Sequence, residues 1–413
     1  MKKIALLSLV TASVLMAGGY KIPETSLNAV ALSAANIAHS HGADAAYYNP
    51  ANMVFMEDKE QMEMDLMYIG LDPINYQGST TTSLGLITNN VDIDAENETF
   101  FVPSLHYVSG KAGETRIGLS VVSPGGLSKR WDEEPGKTTS QEFTLEIIEV
   151  NPTVAIPVSD KVAVAFGFRI LYTSGVVKSD GQLSPVPTHR ATRDLTGDSF
   201  DFGYNLALAY KPTSDLDIGL TYRSQVNLTI EGKAELSENV MFGTYDGDGS
   251  VTVPLPASAS LALAYTLPSK TTIEFVYERN MWSAYKELDF GYEGALSTPI
   301  LTAAFDDPKT KDWKDTSAYR LGITQELDAV TLMAGAVYDE SPVPEETLGF
   351  ELPGSNSLSL SFGGRYQISK ELDVGLAVLY SMRESRKVKN DSIDGEFTNS
   401  DVLLVSTGIG YKF

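Results

Sequence analysis

Strict alternation of apolar with small or polar residues recurs along this chain and constrains its fold more than any motif. In LDIGLTYRS, Leu216, Ile218, Leu220 and Tyr222 share one face, with Asp217, Gly219, Thr221 and Arg223 on the other. In SLSLSFGGRY, Leu358, Leu360, Phe362 and Tyr366 oppose Ser357, Ser359, Ser361 and Arg365. LDVGLAVLYS repeats the pattern through Leu372, Val374, Leu376, Val378 and Tyr380. A period of two puts successive side chains on opposite faces of a strand. An apolar face opposed by glycine, serine and charge suits lipid outside and a wet or plugged lumen inside. A soluble sandwich has the same period, with shorter strands and closer turns.

Turn lengths separate the two folds. Short polar turns fall at SGKAGE, PVSDK, KPTSDLD, LPSK, ELDA and SKELD. Between them lie longer stretches: LDPINYQGSTTTSLG, SPGGLSKRWDEEPG, DGQLSPVPTHRATRD, LSENVMFGTYDGDG, the segment around FDDPKTKDWKD, DESPVPEETLG and RESRKVKNDSIDG. Short periplasmic turns alternating with long external loops are the habit of outer-membrane barrels. Six turns and seven loops predict fourteen strands with both barrel ends on the periplasmic side. Tyr107, Tyr210, Tyr265 and Tyr366 each precede a short turn, where an interfacial aromatic girdle would sit.

The two ends fit an exported barrel. MKKIALLSLVTASVLMAGGY has two lysines, an apolar core from Ile4 to Met16 and small residues at Ala17, Gly18 and Gly19, the layout of a cleaved signal peptide. The final strand, LVSTGIGYKF, alternates back from Phe413 through Tyr411, Ile409, Thr407, Val405 and Leu403. Such an aromatic end resembles the terminal strand that the barrel-assembly machinery reads in Gram-negative outer membranes. There are no cysteines, so disulfides and thiolate metal sites are excluded. The net charge of -23 argues against a nucleic-acid partner. The acidic excess falls in loop-like stretches such as WDEEPG and DGDG, as expected of solvated loops.

The expected fold is therefore all-β: a transmembrane antiparallel β-barrel of about fourteen strands whose lumen is plugged by an N-terminal hatch. Residues 1–19 form the signal peptide, 20–60 the hatch and 61–413 the barrel. A lumen this wide cannot be filled by wall side chains alone. The small-residue-rich SLNAVALSAANIAHS and the following GADAAYYNPANMVFM are the available plug, the alternative being a periplasmic tail.

At GGYKIPETSLNAVALSAANIAHSHGADAAYYNPANMVFM the chain resembles the FadL/TodX family of outer-membrane channels for long-chain fatty acids and other hydrophobic compounds. Asn49, Pro50 and Ala51 match the Asn-Pro-Ala motif that ends the family's hatch. Further similarity lies at TYRSQVNLTIEGKAEL, VTVPLPASASLALAY and YDESPVPEETLGFELPGSNSLSLSFGGRYQISKELDVGLAVLY, and it covers essentially the whole mature chain. The resemblance implies passive passage of a hydrophobic ligand from an outer surface to an internal pocket, then sideways into the membrane through a kinked third strand. It implies that Tyr20, the aromatic residue near the mature N-terminus, reaches that pocket. The matching third strand is TRIGLSVVSPGGLSKRW, where Gly118, Pro124, Gly125 and Gly126 are kink candidates; Pro124 to Gly126 also read as a loop entrance. Arg169 and Lys178 are candidates to meet a ligand carboxylate, the alternative for each being an ordinary lumen or loop charge. The loop KSDGQLSPVPTHRATRDLTGDS is shorter and more polar than the family's groove-forming loop, which keeps an aromatic or aliphatic hydrocarbon open as the substrate.

Proline fixes its own φ and holds the preceding Asn49 extended, so the turn is expected to set the hatch's exit direction and pack beside the third strand. His39, His41, His106 and His189 lie in no catalytic motif, so no enzyme activity, cofactor or metal is expected. A general aqueous porin is the rival function; it predicts steady conductance through an arginine-lined constriction. The expected partners are a hydrophobic small molecule, outer-membrane lipid and lipopolysaccharide, and the assembly machinery that reads Tyr411 and Phe413. A monomer is expected, in the outer membrane of a Gram-negative bacterium.

Overall fold

The computed structural model describes residues 18–81, 87–183, 186 and 188–413; the signal-peptide reading lies outside them up to Ala17. Among the described residues, fourteen antiparallel strands close into one barrel. They are β1 Gln61–Leu71, β2 Glu98–Val108, β3 Arg116–Val122 with Gly126–Lys129, β4 Glu142–Ser159, β5 Val162–Gln182, β6 Arg190–Tyr210 and β7 Leu216–Arg223 with Val226–Glu238. There follow β8 Thr244–Leu255 with Ser258–Thr266, β9 Thr271–Asn280, β10 Thr316–Glu326, β11 Val330–Asp339, β12 Ser357–Gln367, β13 Leu372–Arg383 and β14 Val402–Lys412. β1 closes on β14 from Gln61↔Lys412 to Leu71↔Val402, which removes the open edge that lipid cannot satisfy.

The alternation resolves as lipid-facing and lumen-facing rows. Leu358, Leu360 and Phe362 are exposed while Ser357, Ser359 and Ser361 between them are buried. Tyr210, Tyr265 and Tyr366 stand exposed near the short turns, and Tyr107 is half-buried. Several stretches read as loops are partly strand, three of them as continuations of the barrel wall. Gly126–Lys129 continues β3 within SPGGLSKRWDEEPG; β5 and β6 extend to Gln182 and from Arg190; β7 and β8 form a long hairpin around residues 239–243. These strand ends are ladders in water: their outward face carries polar cross-strand pairs such as Lys233 with Asp248, and their apolar residues, Ile230 and Val251 among them, turn inward, so the lipid-out pattern is missing.

Residues 20–56 fill the short-turn half of the lumen as α1 Leu27–Ala31, α2 Ala45–Tyr48 and a 3₁₀ turn Pro50–Phe55. The wall makes room with glycine. A methyl carbon at Gly335 would sit 2.2 Å from the Leu32 carbonyl carbon, and one at Gly363 2.7 Å from Ala31 Cβ. Gly322 and Gly375 approach Ala35 and Leu27 in the same way. Polar wall residues then fasten the hatch. Glu274 of β9 accepts the successive amides of Ile37, Ala38 and His39 at 2.6, 2.7 and 3.1 Å. Arg320 of β10 faces Glu24 and Glu278 and donates to the Ser33 carbonyl at 3.0 Å. On the loop side, Asn75–Thr81, Ile87–Asp94, Arg386–Lys389 and Ile393–Thr398 form a four-stranded sheet. Its Tyr76 and Phe397 pack on Phe350, and Phe350 packs on Trp131.

Candidate ligand cavity and hatch

Above the hatch lies an apolar cavity. Leu127, Phe143, Leu145, Val177, Leu195, Ile230, Val251 and Val253 supply its barrel wall, and the external loops add Tyr285, Leu288, Phe290, Trp313 and Leu352. Wall residues at this level are apolar inward, the reverse of the small and polar rows lower down. Among the described residues only two lining side chains are charged, Lys311 and Glu351, and they bond to each other. Burial by itself would raise the Glu351 carboxyl; contact with Lys311 more than offsets this and holds it below the usual carboxylate range. An outer vestibule shares Phe143, Leu288, Phe290, Lys311 and Glu351 with the cavity. Leu183, Phe305, Leu348, Phe350 and Ile393 add apolar surface to it. Several loops thus contribute apolar residues to the vestibule, Leu183 of the loop after β5 among them.

Tyr20 enters the cavity from the hatch. Its ring lies 4.7 Å from Trp282 and 5.9 Å from Trp313, and its hydroxyl donates to the Pro254 carbonyl at 2.5 Å. Burial raises that hydroxyl well above its ordinary pKa, so it is a neutral donor. The backbone around Tyr20 lies along the interruption in β3. The Ile22 amide donates to the Pro124 carbonyl at 2.9 Å, the Gly126 amide to the Tyr20 carbonyl at 2.7 Å, and Lys21 bridges Gly125. A Cβ at Gly125 would fall 2.6 Å from the Tyr20 oxygen, so a side chain there displaces the strap. Below the interruption the β2–β3 ladder spans only Leu105↔Val121 to Val108↔Gly118. A smaller cavity adjoins it, lined by Thr25, Met67, Val102 and Ser123 among others.

The remaining candidates lie elsewhere. Gly118 sits lower on β3 beneath Ala46 and Met53. Arg169 is buried against Glu149, which also holds Arg223, and it donates to the Ser224 carbonyl at 2.6 Å. Lys178 is part-exposed and faces Glu142 and Asp194. Neither lines the cavity: Lys178 alternates with the inward Val177, and Arg169 points inward at the level of the hatch, where Glu149 joins it to Arg223 over Tyr47. Asn49 is fully buried: its amide donates to Ile37 at 3.0 Å and to Leu208 of β6 at 3.2 Å, and its carbonyl accepts from Ala51 at 3.2 Å. Pro50 opens the 3₁₀ turn. The Asn49 side chain therefore meets β6, while flanking Ala46 and Met53 meet β3. Tyr411 and Phe413 stack edge-on at 4.9 Å on the exposed outer face. Trp282, Trp313, Tyr285, Lys311 and Glu351 were not singled out from sequence. Their signal was aromatic residues embedded in charged loop sequence.

These features define a plugged transmembrane β-barrel with an apolar internal cavity. The family model for outer membrane protein transport proteins (OMPP1/FadL/TodX) matches residues 8–413, and the chain belongs to that family. Its members are transport channels, and this protein resides in the Gram-negative outer membrane. It is 23% identical over 405 residues to the long-chain fatty acid transport protein of Escherichia coli O157:H7, covering 88% of this chain and 87% of the relative. A FadL homologue from Pseudomonas aeruginosa superposes with a TM-score of 0.83 at 20% identity, covering 95% of this chain and 99% of that one. The Ralstonia pickettii toluene transporter TbuX gives 0.70 at 20% identity, covering 94% and 97%.

Proposed function

We propose that this protein passively carries hydrophobic small molecules across the outer membrane. The ligand collects on the apolar vestibule, moves into the cavity beside Tyr20, and leaves sideways through the interruption at Pro124–Gly126. One observation carries this reading: Tyr20 belongs at once to the cavity wall and to the strap across β3. Ligand occupancy and the seal over the wall gap are therefore coupled through a single residue. A lipophilic solute leaving this way avoids water and stays in apolar surroundings. The Lys311–Glu351 pair is internally neutralised, which favours uncharged hydrophobic ligands over carboxylates. Long-chain fatty acids are the second reading, favoured by the name of the Escherichia coli relative. The channel works as a monomer among outer-membrane lipid and lipopolysaccharide, with its Tyr411–Phe413 end read by the assembly machinery.

Two measurements test this. Mass spectrometry of molecules co-purifying with the barrel should find neutral hydrophobic compounds. Planar-bilayer recordings should show little steady conductance, and large stable currents would return the aqueous-porin reading.

A further inference from the structure

We infer that His39, His41 and Asp217 form a site for a divalent transition-metal ion of the zinc class, tying the periplasmic end of the hatch to the barrel wall. His39 and His41 belong to the hatch, and Asp217 lies on β7 beside a short turn. Their ligand atoms lie within 4.8 Å of one another. His39 Nδ1 is 2.7 Å from Asp217 Oδ2 and 3.2 Å from His41 Nε2. A tetrahedral zinc with bonds of about 2.0–2.1 Å has ligand–ligand edges of roughly 3.3 Å. The His39–His41 edge is already near this length, the His39–Asp217 edge must open by roughly 0.6 Å, and the His41–Asp217 edge lies within 4.8 Å.

Proton counting sharpens the case. His39 Nδ1 faces a carboxylate oxygen and an imidazole nitrogen at once. With its proton, Nδ1–H satisfies Asp217, and His41 Nε2 must then accept from that same hydrogen. Without its proton, Nδ1 accepts from His41 but meets Asp217 lone pair to lone pair. Three donor atoms converge on a space that one proton serves poorly and a cation serves well. Two imidazoles and a carboxylate, with coordination left over for water, suit a zinc-class ion better than a hard cation preferring oxygen alone.

The surroundings hold the set in place. Glu274 grips the His39 amide together with its two predecessors, so the backbone carrying the first ligand is pinned to β9. Lys211 holds the other Asp217 oxygen at 2.8 Å, fixing the carboxylate's direction as outer partners do around metals. His41 is exposed, and both histidines line an open cavity on the short-turn side, which gives an ion access and the site its water. Because the ligands come from both hatch and wall, a bound ion resists withdrawal of the hatch segment that follows α1.

The test uses the full barrel, purified in detergent and stripped with a chelator, titrated calorimetrically with zinc chloride. One zinc per barrel is expected, with affinity at least about tenfold weaker in His41→Gln and in Asp217→Asn. His189→Gln, in an external loop, should bind as the wild type does. Heat-modifiable mobility on unboiled gels confirms that each variant is folded. Zinc should also slow amide exchange across residues 37–43 in the wild type and leave Asp217→Asn unaffected. Absence of saturable binding at micromolar zinc overturns the proposal. So does binding that either His41→Gln or Asp217→Asn leaves unchanged.

Discussion

The amide of Gly126 donates to the carbonyl of Tyr20 at 2.7 Å, so a strand interrupted at Pro124 regains its ladder from the chain's own N-terminal segment. Proline cannot donate to a ladder, and the adjoining β2–β3 register is short. The hatch thus repairs the wall at the point where the wall is weakest. The same residue presents its ring to the cavity, which makes this contact sensitive to whatever the cavity holds.

Gly125→Val should displace this strap, since its Cβ would collide with the Tyr20 oxygen, a backbone atom that cannot swing aside. The barrel should still assemble. Loss of the Tyr20 ring from the aromatic cluster should weaken binding of a hydrophobic ligand by about two- to tenfold. Quenching of Trp282 and Trp313 fluorescence reads this directly, because both indoles contact Tyr20. Wild-type binding in Gly125→Val would mean that strap and cavity are independent.

Glu351→Gln should change ligand preference more than stability. It leaves Lys311 without its carboxylate inside an apolar cavity, and a ligand carboxylate can then replace it. The affinity ratio of a fatty acid to its matching alcohol should rise at least about tenfold over the wild type. The pH dependence has a definite sign. Glu351 is held below its usual range, so its contribution is present above about pH 4.3 and is lost only as pH falls through the lower folded value. Wild-type affinity for an uncharged ligand should therefore agree within about twofold at pH 5.5 and 7.5. Strong titration in that window would show that Glu351 is not held ionised by Lys311.

Lipid made much of this fold legible. A wall with hydrocarbon outside and a crowded lumen inside must alternate, so Leu358, Ser359 and Leu360 declare their faces without any knowledge of partners. Turn chemistry at SKELD or LPSK is equally local. The cavity is not local. Trp282, Tyr285 and Trp313 lie in charged loop sequence, and only the folding of that loop over the barrel mouth turns them inward. Arg169 illustrates the other limit. Its inward position follows from the strand period, but its engagement with Glu149 depends on the β4–β5 register, which the residues of β5 alone do not reveal. Gly126–Lys129 looked like a loop because Pro124 and Gly125 precede its ladder with β4 and a second glycine opens it.

Asn49→Ala removes two donor contacts and a turn cap together, one contact to the hatch and one to β6. A cap and a buried amide bond are each worth about 1 kcal/mol. Amide exchange across residues 49–55 should accelerate roughly tenfold to hundredfold while the barrel strands keep their protection. Uptake of a hydrophobic substrate should fall with it. Unchanged exchange would reduce the side chain to a passive filler of the turn.

Gly335→Val tests whether the hatch itself closes the channel. The new Cβ would lie 2.2 Å from the Leu32 carbonyl carbon, a backbone atom, so the hatch must yield there. The strand need not: valine suits a β-strand, and the cross-strand partners on the same face, Gly322 and Ser361, are small. The variant should therefore assemble, resist unfolding on unboiled gels, and show discrete conductance steps where the wild type shows few. Gly110→Ala is the control, since a methyl group there meets nothing closer than 3.8 Å and the turn lies outside the lumen. Silent recordings from Gly335→Val would mean the hatch can shift without unblocking the lumen. The seal would then rest on the contacts of Arg320 and Glu274 rather than on the glycine-lined fit.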